Sequence, residues 1–160
     1  MAVRPSRGEY RRNLPHIEVG GRPMHITFCT KGEFVLPESM RGIVLEHCLA
    51  EDGRKCVLHC VVVMFDHVHM LMSLMANRET KAGYSLAAVM SGIKGASSHS
   101  VNKALGRSGH VWQDEVFDRI LRGTERLEEK MKYLRENPVR KGLVKVAEEW
   151  PWYWDEKQKT

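Results

Sequence analysis

Two runs of strand-forming residues joined by only two others constrain this chain more than any other feature. Lys55 to Met64 is rich in valine and cysteine, and His67 to Met75 reads His-Val-His-Met-Leu-Met-Ser-Leu-Met, with Phe65 and Asp66 between them. Runs of this kind around a two-residue joint predict a β-hairpin. Alternate residues of a strand share a face, so the hairpin turns His67 and His69 one way while Val68 and Met70 face the opposite layer.

The remaining pattern supplies a sheet and helices around that hairpin. Met24 to Thr30, with Ile26, Thr27 and Phe28, suits a strand, and Met40 to Ala50 repeats Ile43, Val44, Leu45, Cys48 and Leu49 at helical spacing. Ser85 is a good N-cap for a helix carrying Leu86, Val89, Met90 and Ile93 and continuing to Leu105, weakened locally by Gly92 and Gly95. Val111 to Leu121 reads as a further strand. Thr124 can cap a last helix with an acidic first turn (Glu125, Glu128, Glu129) and an apolar stripe of Leu127, Met131 and Leu134, ending before Pro138. The order β-α-β-β-α-β and then α predicts an α+β chain, a ferredoxin-like (RRM-like) antiparallel sheet with packed helices.

The chain of 160 residues falls within the size of one domain. Its 42% hydrophobic and 28% charged residues describe a globular protein and exclude a disordered one. Residues 1 to 22, with Pro5, Gly8, Pro15, Gly20, Gly21 and many arginines, read as a basic arm; 23 to 147 form the domain; 148 to 160 form a tail holding Trp150, Trp152 and Trp154, either docked on the core or free to stack on bases. No stretch nears the roughly 20 apolar residues of a membrane span and no apolar segment follows the basic N-terminus, so no membrane partner and a cytoplasmic location are expected. Cys29, Cys48, Cys56 and Cys60 sit in apolar runs without a CxxC pair, which predicts buried, reduced thiols. A net charge of +5, concentrated near the N-terminus and between Arg119 and Lys141, suits a nucleic-acid partner, as it also suits a solvated charged face.

His67 and His69 side by side can chelate one metal ion, or can be two hydrogen-bonded sheet histidines; the pair alone leaves both readings standing. In the last helix Tyr133 and Asn137 lie four apart, on one side, at the edge of the apolar stripe. That position suits a tyrosine with a buried ring and a free hydroxyl, a common packing arrangement as well as a catalytic one.

Taken together, several blocks resemble the REP-associated tyrosine transposases and related small insertion-sequence transposases of the HUH superfamily. They are Val63 to Leu71 (Val-Met-Phe-Asp-His-Val-His-Met-Leu), Lys94, Gly109-His110-Val111-Trp112-Gln113, Phe117-Asp118-Arg119-Ile120-Leu121-Arg122, and Tyr133 to Val144 (Tyr-Leu-Arg-Glu-Asn-Pro-Val-Arg-Lys-Gly-Leu-Val). The resemblance spans about residues 23 to 154 and departs from the family pattern at Asp66, where asparagine is common, and at Phe117, where tyrosine is common.

The resemblance implies the HUH endonuclease fold, with Mg²⁺ or Mn²⁺ held by His67, His69 and Asn137 and Tyr133 as nucleophile. It implies an enzyme that cleaves and rejoins single-stranded DNA, at palindromic or hairpin sites, through a covalent 5′-phosphotyrosine. Members act as monomers or as homodimers. Lys94, Arg119, Arg122, Arg140 and Lys141 are then candidates for backbone phosphate contacts, because charge neutralisation dominates nucleic-acid affinity. The rivals are a metal-independent single-stranded nucleic-acid-binding module on the same sheet, and a structural protein whose two histidines only pack.

Overall fold

The computed structural model describes residues 10–11, 21–77, 79–123 and 125–159. Their centre is an antiparallel sheet whose strand order is β1-β5-β2-β4-β3-β6. The strands are β1 (Tyr10–Arg11), β2 (Met24–Cys29), β3 (Cys56–Val63), β4 (His67–Leu74), β5 (Val116–Ile120) and β6 (Tyr153–Asp155). The inner order β5-β2-β4-β3, with α1 (Glu38–Leu49) and α2 (Leu86–Leu105) as the two connecting helices, is the ferredoxin-like arrangement expected. The basic arm lies mostly outside the described residues; its one described strand, β1, pairs with Val116 and Phe117 of β5.

The hairpin forms as its sequence requires. Phe65 and Asp66 are the joint, and the Met64 N–H donates to the His67 carbonyl at 2.8 Å. One feature of β3 is not visible in its sequence. The pairing of β3 with β4 shifts between Leu58 and Cys60, so His59 is the extra residue of a bulge. Before it Cys56 and Leu58 face the α1/α2 layer; after it Val61 and Val63 do, while Cys60, Val62 and Met64 face the other side.

Each face of the sheet buries its own core. Ile26, Phe28, Val68, Met70 and Met72 pack with Met40, Val44 and Cys48 of α1 and with Leu86, Val89, Ile93 and Val101 of α2. Full burial of one such side chain stabilises by about 1.5–3 kcal/mol. The Ser85 hydroxyl caps α2 by accepting from the Ala88 N–H at 3.0 Å, and the helix runs unbroken past Gly92 and Gly95 to a left-handed C-cap at Gly106 (φ 62°). On the other face Cys60, Val62, Met64 and Leu71 meet Met131 and Leu134 of α3 (Leu127–Arg135) and Trp150.

Two expectations change. The strand foreseen from Val111 to Leu121 is regular only over Val116–Ile120, because Trp112 turns into the core, edge-on to Phe28 and donating from its indole N–H to the Ser97 hydroxyl at 2.9 Å. The last helix stops at Arg135 and a separate turn, α4 (Asn137–Arg140), follows with Pro138 in its first positions. Proline has no N–H to continue the first helix but is well suited to starting the second. Thr124, the expected cap, lies outside the described residues. The tryptophan tail docks: Trp150 is buried and donates to the Val63 carbonyl at 3.1 Å, Trp154 pairs with Val61 in β6, and Arg41 lies over the rings of Trp150 and Trp152 at 5.6 and 4.8 Å. Among the described residues no helix is long and apolar enough to cross a membrane.

The four cysteines are buried and none is in a disulfide. Burial raises the thiols of Cys56 and Cys60 to about 12, helped by Glu51 and Asp52 at the first and by Asp155 at the second, and it raises Cys48 as well. Thiolate is the reactive form, and a thiol of this kind is ionised to about one part in ten thousand at pH 8. Iodoacetamide at pH 8 is therefore expected to leave Cys48, Cys56 and Cys60 unmodified in the native protein and to modify all of them in urea, as read by peptide mass spectrometry. Native labelling at the urea rate would contradict this packing.

Candidate active site

The polar half of the second sheet face is built by strand register. On β2 and β4, Cys29 faces His67, Thr27 faces His69 and His25 faces Leu71. Cross-strand partners share a face, so one side of the sheet collects His25, Thr27, His67 and His69. The Thr27 hydroxyl oxygen lies 2.9 Å from His69 Nδ1, and His25 Nε2 lies 3.0 Å from the same nitrogen. His67 is 1% exposed; its Nδ1 is 2.8 Å from Asp66 Oδ1, and its Nε2 is buried without a hydrogen-bond partner. The rings of His67 and His69 stand edge to face, centroids 4.8 Å apart. Both therefore have Nδ1 engaged by the protein, so that Nε2 is the nitrogen through which either ring could meet a ligand.

The break between α3 and α4 brings a second set of groups to the same place. Asn137 is 5% exposed and its Nδ2 is buried without a partner, while its Oδ1 accepts from Arg140 Nη2 at 3.2 Å. Tyr133 differs from the expected buried ring: it is 54% exposed, with the Arg140 guanidinium 3.7 Å from its ring centroid and the Lys130 ammonium at 5.0 Å. Arg140 thus links Tyr133 to Asn137. The same two cations act on His69, whose pKa lies well below the ordinary value because of burial, then His67 and His25, then Lys130 and Arg140. Burial, with Lys130 and Arg119, lowers His25 to about 3. His25 and His69 are therefore neutral at physiological pH, the form a metal ion requires of an imidazole.

A divalent cation fits this donor set. The buried Nε2 of His67 has no protein partner, and the Asn137 Oδ1 that accepts from Arg140 has a second lone pair. Two imidazoles and one amide oxygen leave positions for water and phosphate oxygen. Among the described residues no three His, Cys, Asp or Glu side chains form a metal-binding group.

The other sequence candidates divide by position. Arg140 is at the site and Lys141, beside it, is exposed. Arg119 is held by Glu125 in a two-pronged ion pair at 2.6 and 3.0 Å, which draws the Glu125 carboxyl down to about 2. Arg122 is exposed just beyond β5. Lys94 belongs to α2, where its ammonium donates to the Asp114 carbonyl at 3.2 Å in a groove of about 390 Å³ shared with His110 and Gln113. The groove adjoins the site, since the Gln113 N–H donates to the carbonyl of Cys29, the register partner of His67. His25, Thr27 and Lys130 escaped the sequence reading. The alternation of Met24–Cys29 puts His25 and Thr27 on one face, but only the pairing with β4 reveals that His69 shares it.

The depressed histidines have a consequence for stability. His25 takes up a proton near pH 6.5 when unfolded and near 3 when folded, so the stability present above pH 6.5 is lost progressively as the pH falls towards 3. For this one group the loss is on the order of 2 kcal/mol by pH 5. Urea midpoints measured with EDTA at pH 7.5 and pH 5 should fall less in His25→Gln than in the parent; equal falls would contradict the depressed value.

A solved structure of a REP-associated tyrosine transposase bound to a REP hairpin has the same fold, with a TM-score of 0.67 and 18% identity over 89% of this chain and 82% of that one. A Haemophilus influenzae protein, named for the REP-associated tyrosine transposases, is 26% identical over 96 residues, 58% of this chain and 54% of its own length. The chain thus spans about half the length of the curated relative it matches. The family model described as "Transposase IS200 like" matches residues 21–137, which takes in the whole β2 to α3 core, both histidines, Tyr133 and Asn137, and the chain belongs to that family.

Proposed function

We propose that this chain is a metal-dependent tyrosine transposase and endonuclease that cleaves and rejoins single-stranded DNA at hairpin or palindromic sites. The observation that carries the reading is that Arg140 joins an exposed tyrosine to a buried amide and acts on the buried His69, whose neighbour His67 has an Nε2 without a hydrogen-bond partner. Family membership and the solved relative with its bound REP hairpin support the DNA substrate.

In this reading His67, His69 and Asn137 hold Mg²⁺ or Mn²⁺, which when bound supplies Lewis-acid polarisation of the scissile phosphate. The Tyr133 oxygen attacks phosphorus in line and its phenolic proton passes to solvent. The phosphorus–O3′ bond breaks, the departing 3′ oxygen leaves as a hydroxyl, and the 5′ phosphate remains joined to Tyr133. A 3′ hydroxyl reverses the step, so rejoining consumes no nucleotide. Arg140 and Lys130 stand where negative charge accumulates on the phosphate, and Arg140 orients both the nucleophile and the amide. Lys141, Arg122 and Lys94 offer charge to the flanking backbone.

Incubation with a hairpin oligonucleotide and Mn²⁺ should give a denaturation-resistant protein–DNA adduct. Tyr133→Phe should lose it by at least about 1000-fold, since no other group replaces the nucleophile. Arg140→Ala should lower its rate by about 10-fold or more through the lost phosphate contact. An adduct of equal yield in Tyr133→Phe would sink the nucleophile assignment, and His67→Ala with unchanged adduct and Mn²⁺ affinity would leave a nucleic-acid-binding module.

A further inference from the structure

His69 is held at Nδ1 by two groups, not one, and the second is another imidazole. His25 Nε2 lies 3.0 Å from His69 Nδ1, its ring centroid 5.0 Å from that of His69 and tilted by 43°. The Thr27 hydroxyl, 2.9 Å from the same Nδ1, is 3.5 Å from His25 Nε2. One hydrogen serves the imidazole pair, and two arrangements satisfy it. Either His69 carries it on Nδ1 and donates, or His25 carries it on Nε2 and His69 accepts. In the second arrangement the remaining hydrogen of a neutral His69 sits on Nε2 and blocks the nitrogen that faces the site.

We propose that His25 is a positioning residue for His69: it accepts the Nδ1 hydrogen, fixing the tautomer that presents the Nε2 lone pair to a divalent cation, and raises the basicity of that nitrogen. This rests on the reading of His67 and His69 as metal ligands. His67 has its own partner for the same purpose in Asp66, at 2.8 Å, so the two ligands are set by different chemistry. Asp66 can only accept when ionised and fixes His67 alone. His25 can accept or donate, so its own tautomer and that of His69 are locked to each other. A hydroxyl at Thr27 adapts to either arrangement and selects neither.

Two-bond ¹⁵N–¹H spectra of the metal-free protein and Mn²⁺ titration by calorimetry test this together. The parent should show the His69 hydrogen on Nδ1. His25→Leu should shift His69 towards the Nε2–H form and weaken Mn²⁺ binding about 10-fold or more, the usual effect of losing such a partner. His25→Gln, which restores an acceptor, should return affinity to within about threefold of the parent, and Thr27→Val should cost less than about threefold. Unfolding midpoints on the same samples confirm that each variant is folded. An Nε2–H tautomer in the parent, or His25→Leu with unchanged tautomer and affinity, would overturn the proposal, as would a Thr27→Val loss equal to that of His25→Leu. If the parent itself binds no Mn²⁺, the metal reading fails, and the spectra still decide whether His25 sets the tautomer.

Discussion

The antiparallel pairing of Met24–Cys29 with His67–Leu74 is the constraint on which the rest depends. It is central in the sheet, it buries Ile26, Phe28, Val68 and Met70 against two helices, and by the period of two it must send the intervening residues the other way. A slip of one residue would bury His67 and His69 among the apolar side chains under α1 and α2 and take Val68 and Met70 out of that core. The cost of breaking that core holds the histidines in place, so the polar site inherits its precision from the apolar core behind it.

That dependence accounts for what was legible. The hairpin, the shared face of His67 and His69, the Ser85 cap and the buried thiols all follow from local pattern, because each depends on residues close in sequence. The His59 bulge does not, since two frames of alternation in a valine-rich run read alike until β4 supplies the partner. Nor does the company of His69: His25 and Thr27 are more than forty residues away and reach it only through register. The helix break at Glu136 was visible as Pro138, but not its result, an inward Asn137 beneath an outward Tyr133. Trp112 turned core-ward where strand propensity alone would have extended β5, a case of tertiary packing overriding local preference.

The electrostatics of the site set basic residues beside buried imidazoles. Two cations, Lys130 and Arg140, lie close enough to depress a buried histidine, and Arg119 spends its charge on Glu125. A region so arranged holds positive charge at its rim and neutral nitrogen donors at its floor. In the proposed reading phosphate would be attracted to the first and a metal ion would tolerate the second, because an imidazolium in their midst would repel the ion before it arrived.

The bulge at His59 ties the tail to the sheet in time as well as in space. His59 reaches Glu156 at 3.0 Å and Ser73 at 2.8 Å, and beside it β6 lies along Cys60–Val62. During synthesis β2 to β5 emerge and can pair before residue 153 exists, which leaves the backbone of β3 as an open edge of valines. Such an edge invites pairing with another chain. The tryptophan strand that arrives last is therefore what ends the interval in which a nascent copy can aggregate, and a chain cut before Trp150 would never leave it.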